Sequence, residues 1–176
     1  MKRLTVALIA ALSSPLVLAA EKPFIGIDYQ MGTLEFNNNI EADTSAVRLR
    51  LGTEVNPYVG VEAHLMSGLN DDTVTKSGVD YTVEVGSAYA VFVRPQLSFA
   101  KAGSVYALLG AAYIDKSIET NSTIGSFAKT SGFEHSGAAG VGLDINVYKD
   151  FRINVDYTMY ASDFSAISAG IRIPLN

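Results

Sequence analysis

The arginines of this chain lie almost entirely at the polar positions of alternating, strand-like segments. Beyond Arg3, near the start, the arginines lie at the polar positions of segments in which polar and apolar residues alternate: Arg48, Arg50, Arg94, Arg152 and Arg172. The clearest segment runs from Phe151 to Thr158, where every second residue is apolar and those between are polar or charged. Successive side chains of a β-strand point to opposite faces, so each segment has one apolar and one polar face. Repeated alternation of this kind is typical of a β-barrel that spans a membrane.

The first twenty residues have the organisation of a secretory signal. Lys2 and Arg3 form a basic start, an apolar stretch runs from Leu4 to Leu12, and small residues end the segment at Ala19 and Ala20. The apolar stretch is too short to cross a bilayer as a helix. We therefore predict a signal peptide over residues 1–20, cleaved after Ala19 or Ala20, followed by one domain over residues 21–176.

Composition excludes several classes of function. Without Lys2 and Arg3, eleven basic residues oppose eighteen acidic ones, a net charge near −7, which argues against a nucleic-acid partner. The chain has no cysteine, so disulfides, cysteine zinc sites and a lipidated thiol are excluded. We expect neither a cofactor nor a metal ion.

Eight strand-like segments follow the leader, and several reach the roughly 9–11 residues that a tilted membrane strand needs. They are Phe24 to Leu34, Ala46 to Val55, Pro57 to Gly68, Val83 to Phe99, Ser104 to Ile118, Gly132 to Val147, Phe151 to Ala161 and Ser165 to Leu175. Long polar connections (residues 35–45, 69–82 and 119–131) alternate with short ones, except for the short last connection at residues 162–164. Long loops on one side and short turns on the other are typical of outer-membrane barrels.

The composition of the polar face indicates that this face points inward. A water-facing surface favours lysine, yet the polar face holds arginine and several mid-strand glycines and no lysine. Long side chains opposite small ones fill a narrow closed interior. The fifth segment is apolar on both faces, so its facing stays open. We predict a structural charge network in the lumen, formed by Asp28, Arg48, Arg50, Glu54, Glu62, His64, Arg94, Asp144, Arg152, Asp156 and Arg172.

Aromatic residues of the apolar face lie at two levels. Tyr29, Tyr89, Phe133 and Tyr157 fall near the long-loop ends of their segments, and Phe99 and Phe151 fall near the short-turn ends. Amphipathic rings at both membrane boundaries are typical of transmembrane barrels. We predict that these six residues form an aromatic girdle.

Three stretches carry a family resemblance: Tyr89 to Gln96, the glycine-rich Gly137 to Asp144, and Ser168 to Ile173. With the eight segments, they make the chain resemble the OmpA/OmpX-like outer-membrane β-barrel family, over Phe24 to Leu175. The resemblance implies an all-β, eight-stranded antiparallel transmembrane barrel with a polar lumen, located in the cell outer membrane. It also implies contact with outer-membrane lipids and lipopolysaccharide, and recognition by the barrel-assembly machinery during insertion.

An eight-stranded barrel has room only for side chains in its interior, so we do not expect a general diffusion pore. Counting back from the short turns places Arg50 nearly opposite Glu62, and Arg152 near Asp144 and Asn146. Buried charges need partners, so we expect these arginines to be pinned by acids in a structural role. The acidic loops, residues 35–45, 69–82 and 119–131, are then the expected sites of surface interaction.

Two other functions are alternatives to this one. A lipid A-modifying enzyme needs a nucleophile and a base within reach, and the local candidates are His135 and Ser136. Adjacent residues of a strand point to opposite faces, so these two do not form a working pair without a bulge. We therefore predict no catalytic residue and no enzymatic activity. A soluble periplasmic ligand-binding barrel is disfavoured by the glycine and arginine pattern of the polar face.

Overall fold

The computed structural model describes residues 22–36, 40–76, 79–99, 102–122, 127–148 and 151–175. The predicted signal peptide lies outside these residues. In the described ranges no helix is both long and apolar enough to cross a bilayer. The strands there are β1 (Lys22–Phe36), β2 (Ile40–Asn56), β3 (Val59–Gly68), β4 (Asp71–Lys76), β5 (Val79–Phe99), β6 (Gly103–Ser122), β7 (Phe127–Tyr148), β8 (Phe151–Ala161) and β9 (Phe164–Pro174).

Eight of these strands close into an antiparallel barrel, as predicted. Strands β5 to β9 pair in sequence, β9 pairs with β1, and β1 to β3 pair in sequence. Pairing of β3 with β5 completes the ring, because Val61 lies opposite Val93 and Leu65 opposite Tyr89. The short β4 pairs with β5 only, beyond the end of β3, and so prolongs this hairpin past the barrel.

The three long polar connections are mostly strand rather than loop, which corrects the prediction for residues 35–45, 69–82 and 119–131. Strands β1 and β2 extend to Phe36 and Ile40, β4 and β5 form a hairpin within 71–84, and β6 and β7 pair as far as Asn121 and Phe127. These segments are rich in Asn, Asp, Ser and Thr, residue types typical of loops and turns, so composition favoured loops over strands there.

Bulges interrupt four of the strand pairs. They lie between Glu54 and Asn56, Val85 and Ser87, Asn146 and Tyr148, and Met159 and Ala161. The first one shifts the predicted register: Glu62 lies opposite Gly52, and Arg50 lies opposite His64. An extra residue next to the turn shifts the pairing of β2 with β3 by one residue.

Alternation of exposure confirms that the arginine-bearing face points inward. Arg94 is fully buried, whereas its neighbours Val93 and Val91 on the same strand are 51% and 63% exposed. Leu51 has outward parity yet is covered. The facing of the fifth predicted segment, now β6, is also resolved: Tyr106, Leu108, Ala112 and Ile114 are buried, while Val105 and Leu109 are exposed.

The interior has two halves of different chemistry, so the predicted polar lumen holds for only one of them. The half near the short turns contains the arginines and acids. The half near the long hairpins is filled by apolar side chains, among them Leu34, Met66, Ala88, Phe92, Leu108, Ile114, Tyr160 and Phe164. Glycine and polar residues in the sequence indicated the charged half. The apolar half has the same residue types as the outer face of the barrel. Sequence alternation alone could not separate it.

Candidate functional site

Arg48 is the most completely bonded charge of the interior. Its Nη1 and Nη2 atoms donate to Asp156 Oδ1 and Oδ2 at 2.9 and 2.5 Å, and its Nε atom donates to Asp28 Oδ2 at 2.7 Å. Strands β1, β2 and β8 position these groups on the inner face. A two-pronged guanidinium–carboxylate pair fixes orientation as well as charge. Asn154 donates to the other oxygen of Asp28, Oδ1, and Thr158 donates to Asp156 Oδ1, which also accepts from Arg48.

A second group of charges lies nearer the short turns and is centred on Asp144. Its Oδ2 atom accepts from Arg94 Nη2 at 2.6 Å and from Arg172 Nη1 at 2.8 Å. Arg152, which is 20% exposed, lies 3.7 Å from the same oxygen and donates to Glu54 Oε1 at 3.1 Å. The predicted contact of Arg152 with Asp144 is therefore present, but Glu54 is its nearer acid.

Glu62 connects the two groups. Its carboxylate lies 3.6 Å from Arg50 Nη1 and 3.1 Å from Arg94 Nε, so the predicted proximity of Arg50 to Glu62 is present despite the register shift. The nearest acid to Arg50 is Asp28, at 2.9 Å from Nε. None of the Arg50 nitrogens is aligned for a hydrogen bond with the described side chains. Arg50 is thus held by charge rather than by directed bonds.

His64 and Tyr160 form the boundary between the charged and apolar halves. His64 Nε2 lies 3.0 Å from Glu62 Oε2, and Nδ1 lies 3.3 Å from the Tyr160 hydroxyl oxygen. That oxygen already accepts from Arg48 Nη1 at 3.0 Å and from Gln30 Nε2 at 3.1 Å. A carboxylate can only accept, so His64 donates from Nε2 and the Tyr160 hydroxyl donates to Nδ1. The network favours this neutral tautomer, because a third donor would crowd the Tyr160 oxygen.

Sequence reasoning missed two aromatic members of the interior. Tyr106 lies under the Arg94 guanidinium, 3.9 Å from carbon to ring centre, and donates to Asp156 Oδ2 at 3.2 Å. Tyr160 was missed although it has the same parity in β8 as Asp156. Tyr106 lies on the strand whose facing the sequence left open. The end of the charged half is closed by Phe24, whose ring lies 3.6 Å from the Arg172 guanidinium carbon.

The structure places five of the six predicted girdle residues, all of outward parity. Tyr29, Tyr157 and Phe99 are 52%, 44% and 43% exposed, and Tyr89 and Phe151 are half-buried. The side chain of Phe133 lies outside the described ones. Tyr58 and Tyr148, at the short-turn end, are 67% and 68% exposed and were not predicted. Tyr58 lies in a turn and Tyr148 is the last residue of β7, so neither lies within an alternating segment.

Side chains replace backbone pairing where the hairpins leave the barrel between β2 and β4. Asn70 Oδ1 accepts from both the backbone nitrogen and the hydroxyl of Ser45 at 2.7 Å, and Asp72 Oδ2 accepts from the Asp43 backbone nitrogen at 2.9 Å. Two backbone N–H groups at this edge of β2, those of Asp43 and Ser45, thereby have partners. Two of the predicted acidic loop residues, Asp43 and Asp72, thus have a structural contact at this rim.

His135 and Ser136 point to different partners. The His135 ring is exposed and packs edge-on against Tyr113 at 4.6 Å between centres, whereas the Ser136 hydroxyl donates to the Gly137 carbonyl. Both residues pair in regular register with β6. Within the ranges that the structure describes, no group of three or more His, Cys, Asp or Glu side chains is arranged to hold a metal ion.

Known proteins share both the sequence pattern and the fold. The pattern of the outer membrane protein beta-barrel domain matches residues 4–171. Ail, the attachment invasion locus protein of Yersinia pestis, solved in complex with the heparin analogue sucrose octasulfate, is 21% identical with a TM-score of 0.57, covering 86% of this chain and 98% of its own. Neisserial surface protein A is 12% identical with a TM-score of 0.60, covering 86% and 96%. No curated protein matches the chain.

Proposed function

The chain belongs to the outer membrane protein beta-barrel domain family, and on that premise we propose that it is a sealed barrel that acts through its long hairpins. The observation that carries the proposal is the filled interior. Every strand of the ring contributes a buried side chain to the charged half: Asp28, Arg48, Glu62, Arg94, Tyr106, Asp144, Asp156 and Arg172. The apolar half lies above it. A solute would have to break both layers to pass.

The charge network has a structural role in this proposal. Five arginines lie among five acids, so the interior carries no large net charge that would attract an ion. Each acid lies within 3.1 Å of at least one guanidinium nitrogen. Such groups stabilise a fold when every charge keeps its partner, and they penalise any strand arrangement that separates them.

The outer wall supports contact with lipid. Its exposed side chains are branched or aliphatic, and aromatic residues lie towards both ends, as expected for interfacial rings at two membrane boundaries. We assign Tyr29, Tyr89, Phe99, Phe133, Phe151 and Tyr157 to these rings. Outer-membrane lipids and lipopolysaccharide are then the surroundings of the barrel. On export, residues 1–20 are removed and the barrel-assembly machinery inserts residues 21–176.

The charge of the hairpins defines the class of surface partner. Residues 35–45, 69–82 and 119–131 contain seven acidic and two basic residues. A basic protein or peptide is attracted to such a surface, whereas a sulfated glycan is repelled. The ligand seen on Ail, a heparin analogue, is of the second kind. We therefore propose a cationic protein surface as the partner.

Binding and conductance together test the proposal. The protein in lipid nanodiscs should bind immobilised protamine and not heparin, and in planar bilayers it should give no steady open channel. Replacing the exposed acids Glu35, Glu41 and Asp80 with lysine should abolish protamine binding, and replacing them with their amides should weaken it less. Steady ohmic channels, or protamine binding that survives the lysine variant, would contradict the proposal. The mass of the exported protein tests removal of residues 1–20.

A further inference from the structure

A groove on the outer wall combines an apolar floor with a polar rim, and it has no role in sealing the interior. It encloses about 440 Å3 where the barrel emerges towards the long hairpins. Its floor is apolar, formed by Tyr29, Met31, Tyr157 and Ile167, and its rim is polar. The rim residues Asp43 and Asn70 are exposed. The groove therefore faces hydrocarbon at one end and water at the other.

The strand register shows that the outer wall changes from apolar to polar between two neighbouring rows of side chains. Met31 of β1 lies opposite Ser45 on one side and Ile167 on the other, and Ile167 lies opposite Tyr157. Two residues further along β1, Thr33 lies opposite Asp43 and Ser165. Two residues of a strand span only about 6.6–6.8 Å. A row with three apolar side chains, those of Met31, Ile167 and Tyr157, is thus followed directly by a row of two hydroxyls and a carboxylate.

Hydrogen bonds orient the polar rim outward. Ser45 donates to Asn70 from its backbone nitrogen, so the atom that faces it is the amide oxygen, and the Asn70 amide nitrogen is turned away with its two donors. The Asp43 carboxylate meets the Thr33 hydroxyl at 3.4 Å, a long contact that leaves most of its acceptor capacity. Asp72 lies next to it, bonded to the Asp43 backbone. No arginine or lysine is among the described residues that line the groove.

We propose that this groove binds one amphiphile with an ammonium headgroup. Its hydrocarbon chain lies along Tyr29, Met31 and Ile167, and its ammonium group donates to the Asp43 carboxylate. The second acid, Asp72, adds attraction for a cation and repels a headgroup whose only charge is a phosphate. Asn70 donates to an ester or phosphate oxygen next to the ammonium group. The inference depends on the barrel lying in a membrane, and it does not depend on the protein partner of the hairpins.

Native mass spectrometry of the detergent-solubilised full barrel tests the groove. The probes are lysophosphatidylethanolamine, which carries an ammonium group, and lysophosphatidylglycerol, which does not. We expect one molecule of the first probe per barrel and little of the second. Asp43→Asn should weaken retention about tenfold, because a charge-assisted hydrogen bond is lost. Asp80→Asn removes the same charge from the far end of the hairpin of β4 and β5, at a residue that does not line the groove, and should retain the probe as the unaltered protein does.

A steric variant makes the test independent of charge. Ser165→Trp places a large ring at the groove mouth, at a level where aromatic residues suit the membrane boundary, and should abolish retention. Heat-modifiable gel mobility confirms that each variant is folded. Equal retention of the two lysolipids, or equal retention by Asp43→Asn and Asp80→Asn, would overturn the assignment. Lysolipid retention does not affect the channel and protamine measurements. The proposed function and the lipid site in the groove can therefore be contradicted independently of each other.

Discussion

Arg48 and Asp156 are 108 residues apart in sequence and form a two-pronged pair across the interior, in which Nη1 donates to Oδ1 and Nη2 donates to Oδ2. The pair joins β2 to β8, strands that do not hydrogen-bond to each other in the sheet. It therefore ties opposite parts of the wall together in a way that backbone pairing does not. Stability of the barrel should depend on it.

Asp156→Asn should destabilise the barrel strongly. The change leaves Arg48 with one charged partner, Asp28, in a fully buried site, and breaking a buried pair from one side costs about 3–5 kcal/mol. Urea unfolding in lipid vesicles measures the change. The double variant Arg48→Met, Asp156→Leu removes both charges and should recover part of the loss. A single variant that unfolds with the same midpoint as the unaltered protein would refute the role given to this pair.

Glu62→Ala should also lower the unfolding temperature. Its carboxylate lies within 3.1 Å of Arg94 and His64 and 3.6 Å of Arg50, so its removal leaves two buried guanidinium groups short of an acid. We expect a loss of about 3–5 kcal/mol. Glu41→Ala is the control, since an exposed acid changes stability by no more than about 0.5 kcal/mol. Heat-modifiable mobility in detergent gives both midpoints, and coincident midpoints would argue that the network is dispensable.

Two glycines of β7 form a matched pair for testing the packed interior. A Cβ atom at Gly142 would lie 2.7 Å from Asp156 Cβ and 2.6 Å from the Tyr106 hydroxyl oxygen, whereas at Gly137 nothing lies within 4 Å. Tyr106 cannot yield, because Arg94 covers its ring and Asp156 holds its hydroxyl. Gly142→Ala should therefore destabilise by about 1–3 kcal/mol.

Gly137→Ala should be neutral or stabilise by up to about 1 kcal/mol, because alanine restricts the unfolded chain. Both variants are compared by urea unfolding under the same conditions. If the two had equal midpoints, the interior around Tyr106 would have to be looser than the structure has it.

Sequence alternation was a good guide wherever a strand separates lipid from charge. On β8 it placed Arg152 and Asp156 inside and Val155 outside, and Tyr160 shares that parity. It did not predict which face of β6 points inward, because Tyr106 and Leu108 point into an interior that is partly apolar, as lipid is. It also missed the hairpin of β4 and β5, because the Asp and Thr residues of these segments are typical of loops. The register of Glu62 depended on a bulge near Asn56, and no residue type there signals one.

The most direct test of the account is the environment of its outer wall. The chain has no cysteine, so Val91→Cys and Val141→Cys, at sites 63% and 62% exposed, each carry a single nitroxide label. In lipid vesicles we predict strong relaxation of both labels by dissolved oxygen and little by a water-soluble nickel chelate. A label at Asp80→Cys, on the hairpin, should show the reverse. If the chelate relaxed the labels at 91 and 141 as strongly as the label at 80, the wall would face water, and the sealed membrane barrel would be contradicted.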